Sequence, residues 1–326
     1  MKCHGCYKET TTDFCLSCRK KLFNGVKISS VLPFDAPKAE TLLSYQEHSK
    51  RLSISGVQLK YTLYLNESNL ELREKGGQYI IKPIPMARQL KNLKVAPENE
   101  HLTMQIAEQV FKINVANNGL LYFMDNQPAY ITKRFDIKPD GSKFLQEDFA
   151  QLTNRSKITH REAFKYEGTY EEIGILIKKY VSAYMPALEE FFKQVLFNYI
   201  ISNGDAHLKN FSLYRNDEGE YKLTPAYDLM STVIHTPTES DTALSLYSGD
   251  INSTFYSTYG CYGKPDFMEF AKRIGIISKR AERILNEFIL FSNKADLLID
   301  QSFLSTSVKE TYQSNLKDKI KRLSIH

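Results

Sequence analysis

The chain has 326 residues, 42% hydrophobic and 25% charged, with 43 Lys and Arg against 38 Asp and Glu for a formal charge of +5. That size and balance suit a globular chain with a sizeable core and room for two or three compact units, and the mild charge makes no case for nucleic acid by itself. No apolar run approaches the roughly 18 residues of a membrane span, and Met1-Lys2-Cys3-His4 begins no apolar signal segment, so a cytoplasmic, reducing setting is expected.

The first unit is expected over residues 1–26, where Cys3-x-x-Cys6 and Cys15-x-x-Cys18 form two knuckles. In a reducing compartment such a cluster favours metal over disulfide, and four thiolates suit one tetrahedral zinc ion. Unligated structural cysteines are the plainer reading. So short a segment cannot fold on an apolar core alone, so a metal would supply its folding energy. Arg19-Lys20-Lys21 reads as a solvated basic face or a nucleic-acid contact, and a structural or partner-docking role is expected for the unit. Val31 to Ser49, weakly patterned and containing proline, reads as a connector or docking segment.

A strand-rich unit is expected over residues 27–134. Leu63-Tyr64-Leu65, Tyr79-Ile80-Ile81 and Ala129-Tyr130-Ile131-Thr132 are short β-type runs punctuated by Gly, Asn and Pro. One helix interrupts them, with Leu102, Ile106 and Val110 at helical spacing behind Glu98 and Glu100. A helical unit then fills residues 135–326. Ile173, Ile177 and Val181 mark one helix, and Phe192, Val195, Leu196, Tyr199 and Ile200 a second, stopped at Asn203-Gly204. Helical patterns return from Phe267 to about Ile299 and from Val308 to Leu323, while Cys261 reads as an ordinary buried thiol. A strand-rich half followed by a helix-rich half predicts an α+β, two-lobed fold.

The residues that suggest chemistry are Asn203-Gly204-Asp205-Ala206-His207-Leu208-Lys209-Asn210 and, after a hairpin turning at Asn216-Asp217-Glu218-Gly219, Pro225-Ala226-Tyr227-Asp228. Phosphoryl transfer needs a carboxylate to orient the attacking hydroxyl and oxygen ligands for magnesium near the phosphates. Asp205 and Asn210 have the spacing of a catalytic loop, with Asp205 as proton acceptor, Asn210 as a metal ligand and Asp228 as the stronger one. A helix cap followed by a polar turn is the plain alternative. Ser53-Ile54-Ser55-Gly56-Val57-Gln58-Leu59-Lys60 can let backbone amides approach phosphate, or can be a simple hairpin. Lys82, closing the apolar run Tyr79-Ile80-Ile81, can pair with ATP phosphates or can be a snorkelling surface lysine.

Taken together the pieces resemble the HipA-type serine/threonine kinases, toxins of bacterial toxin–antitoxin systems. They are Ser53 to Lys60, Ile80-Ile81-Lys82-Pro83, Glu98-Asn99-Glu100-His101, Lys133-Arg134-Phe135-Asp136, Gln146-Glu147-Asp148-Phe149, the loop Gly204 to Asn210, and Pro225 to Asp228. The resemblance covers about residues 51 to 300. It implies a protein-kinase-like two-lobed fold, with Asp205, His207 and Asn210 in the catalytic loop and Asn210 and Asp228 on magnesium. It places ATP against Ser55, Gly56, Val57, Gln58, Lys60 and Lys82, with Arg134 and Phe135 at the hinge beside adenine.

It also implies phosphorylation of an aminoacyl-tRNA synthetase and autophosphorylation of Ser53 or Ser55, the paired-serine form of the short HipT-like branch. A phosphate there would add about −2 charge beside the nucleotide. This chain has a shorter stretch before the Gly-rich loop than full-length HipA, which points to a separate small N-lobe-like partner besides an antitoxin. DNA would be met only indirectly, through that antitoxin, and no membrane is implied. Lys133 stands where an acidic hinge residue is expected. A small-molecule phosphotransferase, which can share Gly-Asp-x-His-x-x-Asn, and a nucleotide-sensing DNA-binding regulator are the rival readings.

Overall fold

The computed structural model describes residues 1–37, 60–73, 76–85 and 90–325. The β-type runs become a five-stranded antiparallel sheet in the order β2-β1-β3-β5-β4. Its strands are β1 (Tyr61–Asn66), β2 (Asn69–Leu72), β3 (Tyr79–Pro83), β4 (Asn118–Tyr122) and β5 (Pro128–Lys133). Strand periodicity gives the sheet two different faces. Tyr61, Leu63, Tyr79, Ile81, Leu121, Ala129 and Ile131 face one way and pack with Phe14, Leu22, Phe23, Ile28 and Leu32 from the amino-terminal segment. Tyr130 faces the other way, into the larger core. Lys82 lies opposite Tyr130 in the β3–β5 register, so the alternation that buries Ile81 under the amino-terminal segment turns Lys82 towards the larger core.

The first helix, α1 (Leu16–Phe23), belongs to the cysteine-bearing segment, and its Leu22 and Phe23 enter the sheet's core. The segment expected as a small separate knuckle is therefore a cover on the sheet. The connector region adds Leu32 and Ala36 to that core and bridges Val31 to Tyr122. Its remainder, with the loop from Ser53 to Leu59, lies outside the described residues.

On the other face lies α2 (Ala96–Gln109), with a proline in its first turn, where a missing N–H costs nothing. The helical body follows with α3 (Tyr170–Tyr180), α4 (Tyr184–Ile200), α5 (Lys264–Arg273), α6 (Ser278–Phe291), α7 (Asn293–Gln301) and α8 (Thr306–Leu323). The pattern from Phe267 to Ile299 thus resolves into three helices. The chain reverses after α4 at Ser202, which is left-handed at φ 56°, one residue before the Asn203-Gly204 stop read from the sequence. A second sheet, in the order β6-β7-β8 from β6 (Leu145–Asp148), β7 (Ser212–Arg215) and β8 (Tyr221–Leu223), carries the expected hairpin. Cys261 is buried. Among the described residues no helix is long and apolar enough to cross a membrane.

One contact in the helical body is decided by a missing side chain. A Cβ on Gly174 of α3 would stand 2.4 Å from Ile274 Cγ2 and 2.8 Å from Ile274 Cβ at the end of α5. Gly174→Val forces overpacking there, and an expected loss of about 1–3 kcal/mol is read from urea denaturation. An unchanged midpoint would show that the two helices can part without cost.

Candidate active site

The polar centre forms where β3, α2 and the turn after β8 converge. Lys82 is 2% exposed, which rules out the snorkelling surface lysine. Its Nζ donates to Glu100 Oε1 in the first turns of α2 and to Asp228 Oδ1. Asp228 Oδ2 accepts from Lys60 Nζ at 3.4 Å. Burial works against the charged form of Lys82, but Asp228 and Glu100 hold its ammonium above the ordinary range. Burial likewise works against the Asp228 carboxylate, and Lys60 and Lys82 override it, holding Asp228 well below the usual carboxylate range. Asp228 is left-handed at φ 57°, a conformation that costs most non-glycine residues energy and that aspartate tolerates better than most.

Two further ties fix that turn. Ala226 N donates to Asn114 O and Ala116 N donates to Ala226 O, at 2.8 and 2.9 Å, in a short parallel bridge to the chain just past α2. Asn99, fully buried on α2, donates through Nδ2 to Ser231 O at 2.9 Å. The helix that carries Glu100 and the chain just past its end therefore hold the residues on both sides of Asp228.

Asp205 follows the reversal after α4. Asp205 Oδ1 accepts from the Tyr166 hydroxyl, with Lys165 Nζ and His207 Nε2 each 3.9 Å away. His207 is buried, and that burial lowers it to about 4, so it is neutral at pH 7. Asn210 Oδ1 accepts from His207 N at 3.0 Å, which folds the loop onto itself. Lys209 Nζ donates to Asp148 Oδ2 at 2.5 Å, fastening the loop to β6. Tyr170 Oη donates to Ala206 O at 2.8 Å, anchoring it to α3.

Arg134 and Phe135 leave the end of β5 for the second sheet. Arg134 Nε donates to Asp136 Oδ1 at 2.9 Å, and the Phe135 ring sits 5.8 Å from that of Tyr227, beside Asp228. Lys133 turns away and donates to Asn24 Oδ1 at 2.6 Å. Of the residues expected at the nucleotide, Lys60, Lys82, Arg134 and Phe135 are described. Ser53, Ser55, Gly56, Val57 and Gln58 lie outside the described residues.

Glu100 received no role in the sequence reading. Its signal was a charged residue on the apolar side of a helix, one residue before His101, which is also buried. Tyr166 and Glu239 were missed as well. Both line a cavity of about 490 Å³ beside Asp205, with Leu90, Leu93 and Met230 as apolar walls.

The donors at Asp228 and Asn210 are oxygens, the type a hard divalent cation takes. Beside the end of α2, the Sγ atoms of Cys3, Cys6, Cys15 and Cys18 all lie within 4.8 Å of one another, a group that could hold a metal ion. All four are free of disulfides.

A strand-rich lobe on a helical lobe, a buried lysine held by two carboxylates, and an aspartate loop facing them are the plan of a kinase. The chain belongs to the family described as HipA-like C-terminal domain, which matches residues 52–294. It is 27% identical over 303 residues to a Haemophilus influenzae protein named "Putative kinase", covering 87% of this chain and 86% of the relative. It is 27% identical over 212 residues to the serine/threonine-protein kinase toxin HipA of Shewanella oneidensis, covering 60% of this chain and 47% of that protein. The solved Shewanella oneidensis HipA, in complex with HipB and operator DNA, superposes with a TM-score of 0.64 at 21% identity over 90% of this chain and 73% of that one. The recognition from sequence is borne out, and the chain is a kinase.

Glu239 supplies a pH test of the pocket's integrity. Its carboxylate accepts from Thr232 Oγ1 and from Gly204 N, at 3.3 Å for the latter, and burial pushes it up to about 7. A carboxyl raised on folding favours the folded state while protonated, so its contribution is lost as pH rises from the unfolded value of about 4.5 to about 7. Glu239→Gln removes the titration and keeps an acceptor. The parent's melting temperature is expected to fall relative to the variant's between pH 5 and pH 8. Parallel pH profiles would remove Glu239 as the cause.

Proposed function

We infer that this chain is an ATP- and magnesium-dependent serine/threonine protein kinase of a toxin–antitoxin system, with residues 27–134 as the nucleotide lobe and 135–326 as the catalytic lobe. The observation that carries the reading is Lys82, buried on β3 and held by Glu100 and Asp228. A lysine so fixed presents a positioned cation to nucleotide phosphates, and phosphoryl transfer depends chiefly on such positioning and charge.

Asp205 is the base. Its Oδ1 takes the proton of the acceptor hydroxyl as the acceptor oxygen bonds to the γ-phosphorus and the bond to the β,γ-bridging oxygen breaks, releasing ADP. In the structure the Tyr166 hydroxyl donates to that oxygen, so an acceptor hydroxyl would compete with it or share the carboxylate with it. His207, neutral and 3.9 Å from the same oxygen, is read as a positioning residue of the catalytic loop. Asn210 and Asp228 would hold magnesium, which when bound neutralises charge on the phosphates. Lys60 and Lys82 lie on the nucleotide side, and Phe135, against Tyr227, offers a ring near the expected adenine site. The four amino-terminal cysteines are read as ligands of one structural zinc.

The resemblance to the HipT-like branch supports an aminoacyl-tRNA synthetase as substrate, Ser53 and Ser55 as sites of autophosphorylation, and a separate small N-lobe-like partner. The Shewanella HipA solved with HipB on DNA supports an antitoxin partner and only indirect contact with DNA. Incubation of the parent and Asp205→Asn with magnesium and ATP, followed by peptide mass spectrometry, tests the reading. Phosphate is expected on Ser53 or Ser55 of the parent, with the rate down about 10²–10⁴-fold in Asp205→Asn, the usual weight of a general base. Glu100→Gln, which removes the carboxylate facing Lys82, is expected to slow transfer at least tenfold. No phosphate on the chain or on any synthetase, together with no thermal shift by ATP, would overturn the reading.

A further inference from the structure

We propose that the four-cysteine centre, loaded with zinc, is a clamp that holds α2 in place, and so holds Glu100 at Lys82. The consequence for Lys82 rests on the kinase reading above; the clamp itself does not.

The centre is built to close around one ion. A zinc–sulfur distance of about 2.3 Å in a tetrahedron sets sulfur–sulfur distances of about 3.8 Å. Cys6 Sγ and Cys15 Sγ stand 3.8 Å apart, and all four sulfurs fall within 4.8 Å. Cys3 Sγ accepts from Gly5 N at 3.4 Å and from Cys15 N at 3.2 Å, which fixes its position among the four sulfurs. A Cβ on Gly5 would lie 2.8 Å from both Cβ and Sγ of Cys18, so the knuckle closes at Gly5 only because that residue has no side chain.

From this centre, backbone and side chains reach α2 at both ends. Near its start, the buried Tyr7 packs on His101 with ring centroids 5.0 Å apart, and on Phe303, between α7 and α8, at 5.7 Å. Tyr7 is held left-handed at φ 65°, a conformation a tyrosine keeps only where its surroundings impose it. His101 Nδ1 is 2.9 Å from Asn118 Oδ1, at the beginning of β4. Near the helix end, Gln109 Nε2 donates to Cys6 O at 3.2 Å. The Lys21–Glu108 pair lies there too, but it is exposed and adds little.

The centre also grips the sheet. Leu120 N donates to His4 O at 2.9 Å, and Tyr79 Oη to Leu22 O at 2.9 Å. Tyr79 is on the strand that carries Lys82, and His101 follows Glu100. The amino-terminal segment thus touches both partners of the Lys82–Glu100 pair through their immediate elements. With no metal, a segment this short loses what closes it, and α2 loses its contacts at Tyr7 and Cys6.

The test is zinc content together with hydrogen exchange on the full chain, purified reduced and without chelator. One zinc per chain is expected by elemental analysis. Stripping with a strong chelator should speed amide exchange in α2 peptides at least tenfold and leave α6 unchanged, and added zinc should restore protection. Tyr7→Ala, which removes no sulfur and keeps the backbone bond from residue 7 to Cys3 O, should keep its zinc and still exchange fast in α2. Absence of bound zinc with no response to added zinc would overturn the proposal, as would a stripped chain, or a zinc-loaded Tyr7→Ala chain, whose α2 stays protected. None of these readouts needs turnover, so a chain that failed to transfer phosphate would still decide the clamp. Where transfer is seen, stripping should slow it at least tenfold.

Discussion

One ammonium buried between two carboxylates organises this molecule. Lys82 and Glu100 come from a strand and the helix that follows it, Asp228 from a turn far along the chain, and the lysine joins all three elements. Taking such ions out of water costs several kcal/mol each, and well-packed apolar groups of similar volume would stabilise the fold at least as well. The cluster is therefore weak as a source of stability and strong as a way of fixing charge. Its register is equally strict. A one-residue slip of β3 would send Lys82 into the apolar layer beneath the amino-terminal segment.

The element that makes the cluster possible is α2, whose buried face is unusually polar. Asn99 reaches Ser231 and Glu100 reaches Lys82, while Thr103 meets the Tyr312 hydroxyl of α8 at 2.9 Å, and Gln105 donates to Asn118 at 3.1 Å. Buried polar groups are costly when left unpaired and specifying when paired. Each of these bonds goes to a different element, so α2 can be satisfied in only one position. A helix of ordinary apolar stripe would have slid; this one is keyed.

Much of this was legible in the chain, for identifiable reasons. The short β-type run Tyr79-Ile80-Ile81 and the turn at Asn216 to Gly219 are local signals, and both appear as read. The loop from Gly204 to Asn210 and the Asp228 turn stood out in the sequence because their residue types and order are those phosphoryl chemistry uses. Glu100 escaped because a glutamate near a helix start is ordinarily a favourable dipole partner facing water, and only the tertiary fold turns it inward to Lys82. Tyr166 escaped because its meaning lies in a contact with Asp205 across a long stretch of chain. The amino-terminal cysteines were legible as a ligand set. Their integration with the sheet was not, since it depends on Phe14, Leu22 and Phe23 matching a surface built much later in the sequence.

On the proposed reading, the charged groups of the site also form a set whose partners can be exchanged without leaving a charge bare. Asp228 is neutralised by Lys60 and Lys82, and Asp205 is met by Tyr166 with Lys165 close by. The lysines that now hold Asp228 are the cations that nucleotide phosphates would claim, and the carboxylate they release is the one magnesium would take. The acceptor hydroxyl would take the place of the Tyr166 hydroxyl on Asp205, donor for donor, or join it there. Leaving a buried ion unpaired is the expensive event in such a site, and an arrangement that swaps partners avoids it at every stage. That explains how the site can keep so many charges half-buried or buried before any substrate arrives, and why Glu100, the one member with no substrate partner to gain, is the most deeply buried of these charges.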